Sequence, residues 1–290
     1  MFGGLTLKEL ARKTWRDVVE DDAFGRAAQL AYYFTLAFFP MLIFVLSLMT
    51  FVPGADNLVL GWLRTVMPQD AMSVVESWVK SVFRKRSGSV LSFSLVFSLW
   101  AASYGVSALM AALNKAYEVE EGRPFWKAQL VALGLTITLG LMVIGGTFII
   151  IVGEKSAGWI AEQLNLESTI NLIWGVFNHV VGFAMLAGGM AIIYYFAPNV
   201  KQKWSWTVPG TLFALLAFLV ASFMFSLYLR FVPSYSLTYG SLGTFIILMI
   251  WLYLLGLIMC IGGEINAEIQ HAGGERVVEK TKPESKAAQH

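Results

Sequence analysis

The chain has 290 residues, of which 57% are hydrophobic, 14% aromatic and 14% charged. A soluble domain carries about a quarter of its residues charged, so this balance excludes an ordinary soluble enzyme and places most of the chain in lipid. The net charge of +2, from 21 basic and 19 acidic residues, is too small and too dispersed for a nucleic-acid surface. The single cysteine, Cys260, excludes an internal disulfide framework.

In chain order, residues 1–24 lack a continuous apolar run and carry Glu20, Asp21 and Asp22, so no cleavable signal is expected. Instead Leu7, Leu10, Ala11, Trp15 and Val18 face away from Lys8, Arg12, Lys13 and Arg16, the pattern of a helix lying on a membrane surface. Its basic side suits the anionic headgroups of a cytoplasmic leaflet. Six stretches then reach the roughly 20 apolar residues that a spanning helix needs: 27–52, 89–113, 128–153, 172–197, 207–231 and 241–266. Between the first two, 53–88 carries a second amphipathic pattern, with Val75, Trp78, Val79, Val82 and Phe83 opposite Glu76, Lys80 and Arg84. The tail, 269–290, is polar and expected to be disordered.

The fold class is therefore all-α: a polytopic membrane protein of six spanning helices with interfacial amphipathic helices. It divides into a cytoplasmic N-terminal segment, 1–25, a membrane domain, 26–268, and a cytoplasmic tail. Fourteen of the 21 Lys and Arg residues lie in 1–26, in 114–127, in 198–206 and in the tail, which puts both termini in the cytoplasm and 53–88 in the periplasm. Arg84, Lys85 and Arg86 run against that bias.

Within the spans, small residues recur at helical spacing: Ser94, Ser98, Ala102, Gly105, Ala108 and Ala112, then Gly210, Ala214, Ala217 and Ala221. Such stripes let helix backbones approach closely in lipid. Pro40 removes a backbone donor inside the first span and predicts a kink. Arg26 and Glu264 fall at the same membrane depth and are expected within salt-bridge reach. With Asn114, Arg123, Lys127 and Asn266 they form a polar layer at the cytoplasmic face, read either as structural hydrogen bonding or as a vestibule for an anionic headgroup. His179 reads as a packed histidine. Tyr235 and Tyr239, four apart and followed by Gly240, suit a loop folded back as a gate over the outer mouth, with interfacial anchoring as the alternative.

Several of these residues carry a family resemblance. Arg26-Ala27-Ala28, Ala31-Tyr32-Tyr33 and Pro40 resemble the first-helix signature of the YihY / virulence factor BrkB membrane proteins. Trp100, Ala102-Ser103, Gly105, Asn114, Tyr117, Glu121 and Arg123-Pro124 continue it, followed by Pro209-Gly210, Phe225, Tyr228, Tyr235, Tyr239-Gly240-Ser241, Trp251, Tyr253, Gly263-Glu264 and Asn266. Ser236-Leu237-Thr238 departs from an expected Asn-containing version. The resemblance implies a six-helix bacterial inner-membrane protein, with some members labelled ribonuclease BN and others linked to serum resistance or envelope lipids.

The residues do not favour the nuclease label. The three histidines are scattered, no HxxxH or HxH pair occurs, and no nucleophile elbow or phosphate loop is present. No enzyme activity, metal, cofactor or nucleic-acid partner is expected. The leading reading is a transporter or translocation facilitator for a lipid or amphiphilic envelope component. The alternative is a non-transporting scaffold assembled with envelope proteins; membrane lipids are partners in either case.

Overall fold

The computed structural model describes residues 6–49, 60, 76, 88–164, 166–231, 241–273 and 278–279. Seven helices follow in chain order: α1 (Leu7–Glu20), α2 (Ala23–Met49), α3 (Gly88–Ala116), α4 (Phe125–Leu164), α5 (Glu167–Phe196), α6 (Trp204–Phe231) and α7 (Ser241–Ala272). A two-residue strand β1 (Val200–Lys201), between α5 and α6, pairs antiparallel with β2 (Val278–Glu279). Helices α3 to α7 are each long and apolar enough to cross a membrane, and this is an integral, all-α membrane protein. The first expected span falls on α2, which is described to Met49 and is not among those five. Pro40 is buried inside α2, with helix on both sides.

The described residues form two compact units, 33–102 and the remainder. In the first, Phe93 stacks on Phe97 at 5.9 Å and Phe97 meets Trp100 at 5.6 Å. Ser94 and Ser98, from the small-residue stripe, are buried and return their hydroxyls to the carbonyls of Leu91 and Leu95.

The second unit is organised around α7, whose glycines set how closely its neighbours approach. A Cβ on Gly256 would lie 3.2 Å from both the Ala27 carbonyl oxygen and the Leu30 Cβ of α2. On Gly262 it would strike the Tyr194 hydroxyl of α5, and on Gly263 the Leu113 side chain of α3. From α6, a Cβ on Gly210 would run into the Gly262 carbonyl oxygen, so these two backbones touch. α1 also lies on α7, with Leu10, Thr14 and Val18 buried.

That packing splits the apolar arc expected of α1. Leu10 and Val18 face protein, whereas Leu7 and Trp15 are exposed, together with Ala11 and Val19. The reason is that α7 offers a narrow contact, one residue per turn of α1, rather than a broad apolar face.

Two further expectations change. The stretch 154–171, read as a connection, is helical on both sides of residues 165 and 166. α4 runs for 40 residues, about 60 Å, twice the ~30 Å of a hydrocarbon core. The helix runs on through Glu154 and Lys155 without a break. The hairpin is held by large side chains seated on glycines: Trp174 over Gly153 and Met185 over Gly146. In the tail, α7 continues past 268 to Ala272, and Val278–Glu279 pairs with Val200–Lys201 because β1 presents a buried Val200 beside exposed backbone. Of the segment 53–88, Leu60, Glu76 and Gly88 lie within the described residues, each in a helical conformation.

Gly210→Ala is expected to lower the thermal unfolding midpoint in detergent, corresponding to about 1–3 kcal/mol of overpacking, because the obstacle is backbone. Gly134→Ala, whose Cβ would meet nothing within 4 Å, is the matched control and should leave the midpoint unchanged or slightly raised.

Candidate functional site

The polar layer forms where α3 ends and α4 begins, against the end of α5. α3 terminates with Glu118 at φ 53, the Val119 N–H donating to the Asn114 carbonyl at 2.9 Å and the Glu118 N–H to that of Lys115 at 2.9 Å. This closure satisfies end carbonyls and turns the chain back. It brings Glu121 under Asn114, whose Nδ2 donates to Oε2 at 2.9 Å. Arg123 grips the same carboxylate with both arms, Nε to Oε1 at 2.6 Å and Nη2 to Oε2 at 2.8 Å, and Nη2 also reaches the Ala197 carbonyl at 3.0 Å.

The remaining bonds tie down the α5–α6 connection. The Asn199 N–H donates to Asn114 Oδ1 at 2.7 Å, and Asn199 Nδ2 to the Glu120 carbonyl at 3.2 Å. Gln202 Nε2 donates to the carbonyls of Tyr194 at 2.6 Å and Tyr195 at 3.1 Å, and its Oε1 accepts from the Tyr117 hydroxyl at 3.0 Å. Arg123 and Gln202 thus supply donors to the carbonyl end of α5, where the helix dipole is negative. Burial pushes the Tyr117 phenol above its ordinary range, with Glu264 adding to the effect, so it stays a neutral donor.

A second, charged corner surrounds the α1–α2 turn. Asp22, at φ 51, accepts from the Gly25 N–H at 3.2 Å and caps α2. Asp21 pairs with Lys115 at 3.2 Å, and Lys13 with Glu268 at 3.4 Å. Arg26 donates from Nε to the Asp21 carbonyl at 3.0 Å, and no ion pair joins it to Glu264 among the described residues. The expected Arg26–Glu264 bridge is therefore corrected. The α1–α2 turn offers Arg26 a nearer acceptor, while Glu264 is buried on α7 with Arg26, Asp21, Asp17 and Glu268 as its charged surroundings.

The structure thus brings Asn114 and Arg123 together through Glu121, and places Arg26 and Glu264 in one charged corner. Asn266 is fully buried and pins α6, its Oδ1 accepting from the Gly210 N–H at 2.7 Å. Lys127 lies apart and exposed, its Nζ 5.2 Å from the centre of the Trp126 ring. Tyr235, Tyr239 and Gly240 lie outside the described residues. Sequence reasoning missed Gln202 and Gln129; the latter joins Ser103 at 2.7 Å and Ser107 at 3.1 Å. Their signal is an uncharged amide in or beside a charge-poor span. Among the described residues no group of three or more His, Cys, Asp or Glu side chains is placed to hold a metal ion.

The other concave feature is a lateral groove of about 370 Å³ between α5 and α6, lined by Asn178, His179, Gly182, Phe183 and Leu186 with Phe218 and Leu219. It continues along α5 as a second depression of about 440 Å³ past Leu172, Gly175 and Val176. His179 is fixed through Nδ1 to the Gly175 carbonyl at 2.7 Å, and Trp251 braces Phe218 at 5.9 Å. Asn178 Oδ1 is buried without a hydrogen-bond partner. Leu186 and Asn178 lie about 15 and 27 Å along α5 from Phe196, so the groove occupies the half of the bundle remote from the polar layer.

Burial alone would raise the Glu121 carboxyl, but its bonds from Arg123 and Asn114 outweigh this and hold it below the ordinary range. The stability it contributes is complete above the unfolded value near ~4.3 and is lost as pH falls through the lower folded value. Glu121→Gln should flatten that acid limb of a melting-temperature profile. Arg123→Lys, which cannot keep both arms and the Ala197 contact, should cost about 1–2 kcal/mol at neutral pH in the same melts.

A family model described as Virulence factor BrkB matches residues 14–289. The ribonuclease-like protein YfkH of Bacillus subtilis is 36% identical over 243 residues, covering 84% of this chain and 88% of its own. A UPF0761 membrane protein of Tolumonas auensis is 24% identical over 93% of this chain and 88% of its own. One from Verminephrobacter eiseniae is 27% identical over 90% of this chain, which spans 64% of that longer relative. No solved structure matches the chain. With the matched region running from α1 to the tail, through every helix that builds the polar layer, the chain belongs to the virulence factor BrkB family.

Proposed function

We propose that the protein handles an amphiphile, a membrane lipid or a lipid-linked envelope component, as a translocation facilitator in a bacterial inner membrane, with both termini cytoplasmic. The observation that carries this reading is the groove between α5 and α6. It is shallow and mostly apolar, lies on the outer side of the α5–α6 pair, and has Asn178 and His179 as the polar residues of its lining, the Asn178 amide oxygen being buried without a hydrogen-bond partner.

The polar layer takes the supporting part. Asn114 and Arg123 bond to Glu121 and to the α5–α6 connection, and Asn266 accepts from the Gly210 N–H, which makes them the base against which α5 and α6 are held. Of the six polar residues first considered for a headgroup, Lys127 is the one whose charge is presented outward, beside an interfacial tryptophan. The reading is non-enzymatic; the ribonuclease-like name belongs to YfkH, and no residue constellation described above supplies a nucleophile with its base.

Gly182 gives the test, because a side chain there enters open space and does not clash with protein. Gly182→Trp should keep the parental thermal midpoint. It should also lower photocrosslinking of a diazirine-tailed phospholipid to 175–186 of α5 by about tenfold and slow lipid translocation in proteoliposomes to a similar degree. Crosslinks spread evenly over exposed positions such as Phe148 and Val220, with translocation unchanged, would leave an ordinary lipid annulus and favour the scaffold reading.

A further inference from the structure

α1 has a face that no described residue covers. Leu7, Ala11, Trp15 and Val19 recur every four residues and are all exposed, Leu7 by 70% and Trp15 by 63%. Such a stripe on a helix already packed on its other side calls for a second apolar surface. Trp15 extends it toward α2 by an edge contact with Phe24 at 6.3 Å. Lys8, Arg12 and Arg16 form the adjoining row, one residue further along. Arg16 is neutralised by Asp17 at 2.9 Å and Glu20 at 3.8 Å, whereas Lys8 and Arg12 have no ion pair among the described residues. Arg12, Trp15, Arg16 and Val19 border a depression of about 580 Å³ between the two rows.

The position of this face follows from the packing of its neighbours. α1 lies against the end of α7, where Lys13 meets Glu268. That end is level with the start of α6, since Asn266 binds Gly210 and Gly273 abuts Trp206. The start of α6 is in turn level with the end of α5 and the start of α4, where Tyr195 stacks on Trp204 at 4.1 Å and Lys127 rests over Trp126. Tryptophan, tyrosine and lysine at one level of several spanning helices mark a membrane–water boundary. α1 therefore lies in that boundary, not above it.

We propose that the outward face of α1 docks on the adjoining lipid leaflet and selects its anionic lipids, the apolar row entering the acyl region and Lys8 and Arg12 meeting phosphate. Charge favours this over a second copy of the chain: a two-fold contact through the same face would gather the Lys8 and Arg12 side chains of both copies into one interface. An anionic leaflet supplies the missing counter-charge, and each such cation favours it by roughly fivefold.

The test uses the full chain in phosphatidylcholine nanodiscs containing a minor fraction of phosphatidylglycerol, with a fluorophore on Ala11→Cys in a Cys260→Ser background. Quenching by brominated phosphatidylglycerol should exceed that by brominated phosphatidylcholine. The preference should fall roughly fivefold for each of Lys8→Gln and Arg12→Gln, and should fall with added salt. Lys8→Arg with Arg12→Lys should retain it. Because neither side chain has an ion pair among the described residues, the neutral variants should melt with the parent. Equal quenching by the two lipids, quenching by neither, or energy transfer between fluorophores on two copies would each overturn the proposal.

Discussion

The contact between the Gly210 and Gly262 backbones governs the rest of this bundle. Lipid tails are as apolar as leucine, so burying hydrocarbon between helices gains little in a membrane, and close van der Waals approach with internal hydrogen bonds has to hold the helices together. α7 meets that demand by presenting glycine where α2, α3, α5 and α6 arrive. Once the backbones touch, Asn266 reaches the Gly210 N–H and the Tyr194 hydroxyl reaches the Met259 carbonyl at 3.0 Å. These are bonds that even one added methyl group would push apart.

The polar layer extends the same logic to the helix ends. A spanning helix brings its last carbonyls to the boundary unpaired, and water is scarce there. In α5 those carbonyls are met by Gln202 and Arg123, and Arg123 is itself neutralised by Glu121. Charge at this level thus neutralises charge within the protein, and the groove in the opposite half is left with little polarity beyond Asn178 and His179. One end of the bundle is cross-linked by side-chain hydrogen bonds between helices; the groove lies toward the other.

Five of the six expected spans match helices long and apolar enough to cross a membrane, because hydropathy measures the property that lipid selects, and Gly210 of the small-residue stripe lies at the α6–α7 contact. The length of α4 was not legible, since the charges at Glu154 and Lys155 end the apolar run without ending the hydrogen-bond ladder. Arg26 and Glu264 were paired on depth alone; depth fixes one coordinate, and the competing acceptor at Asp21 depends on how the α1–α2 turn closes. Gln202 carries no periodic or charge signal, and its role exists only because β1 and the end of α5 fold over it. The apolar arc of α1 was read correctly as amphipathic, but a sequence cannot say that its partner would cover only half of it.

That α7 is the hub has a consequence for biosynthesis. It is the last of the spanning helices to leave the ribosome, and Asn266 follows Gly210 by 56 residues. At about 5–20 residues per second, α6 waits some 3–11 s in the membrane with its glycine surface uncovered. The Tyr194 hydroxyl, whose acceptor lies 65 residues later, waits longer still. Insertion of the earlier helices is therefore separable in time from their locking. The half-made protein holds its α4–α5 hairpin already packed, while the surfaces of α2, α3, α5 and α6 that α7 will occupy stay uncovered until it arrives.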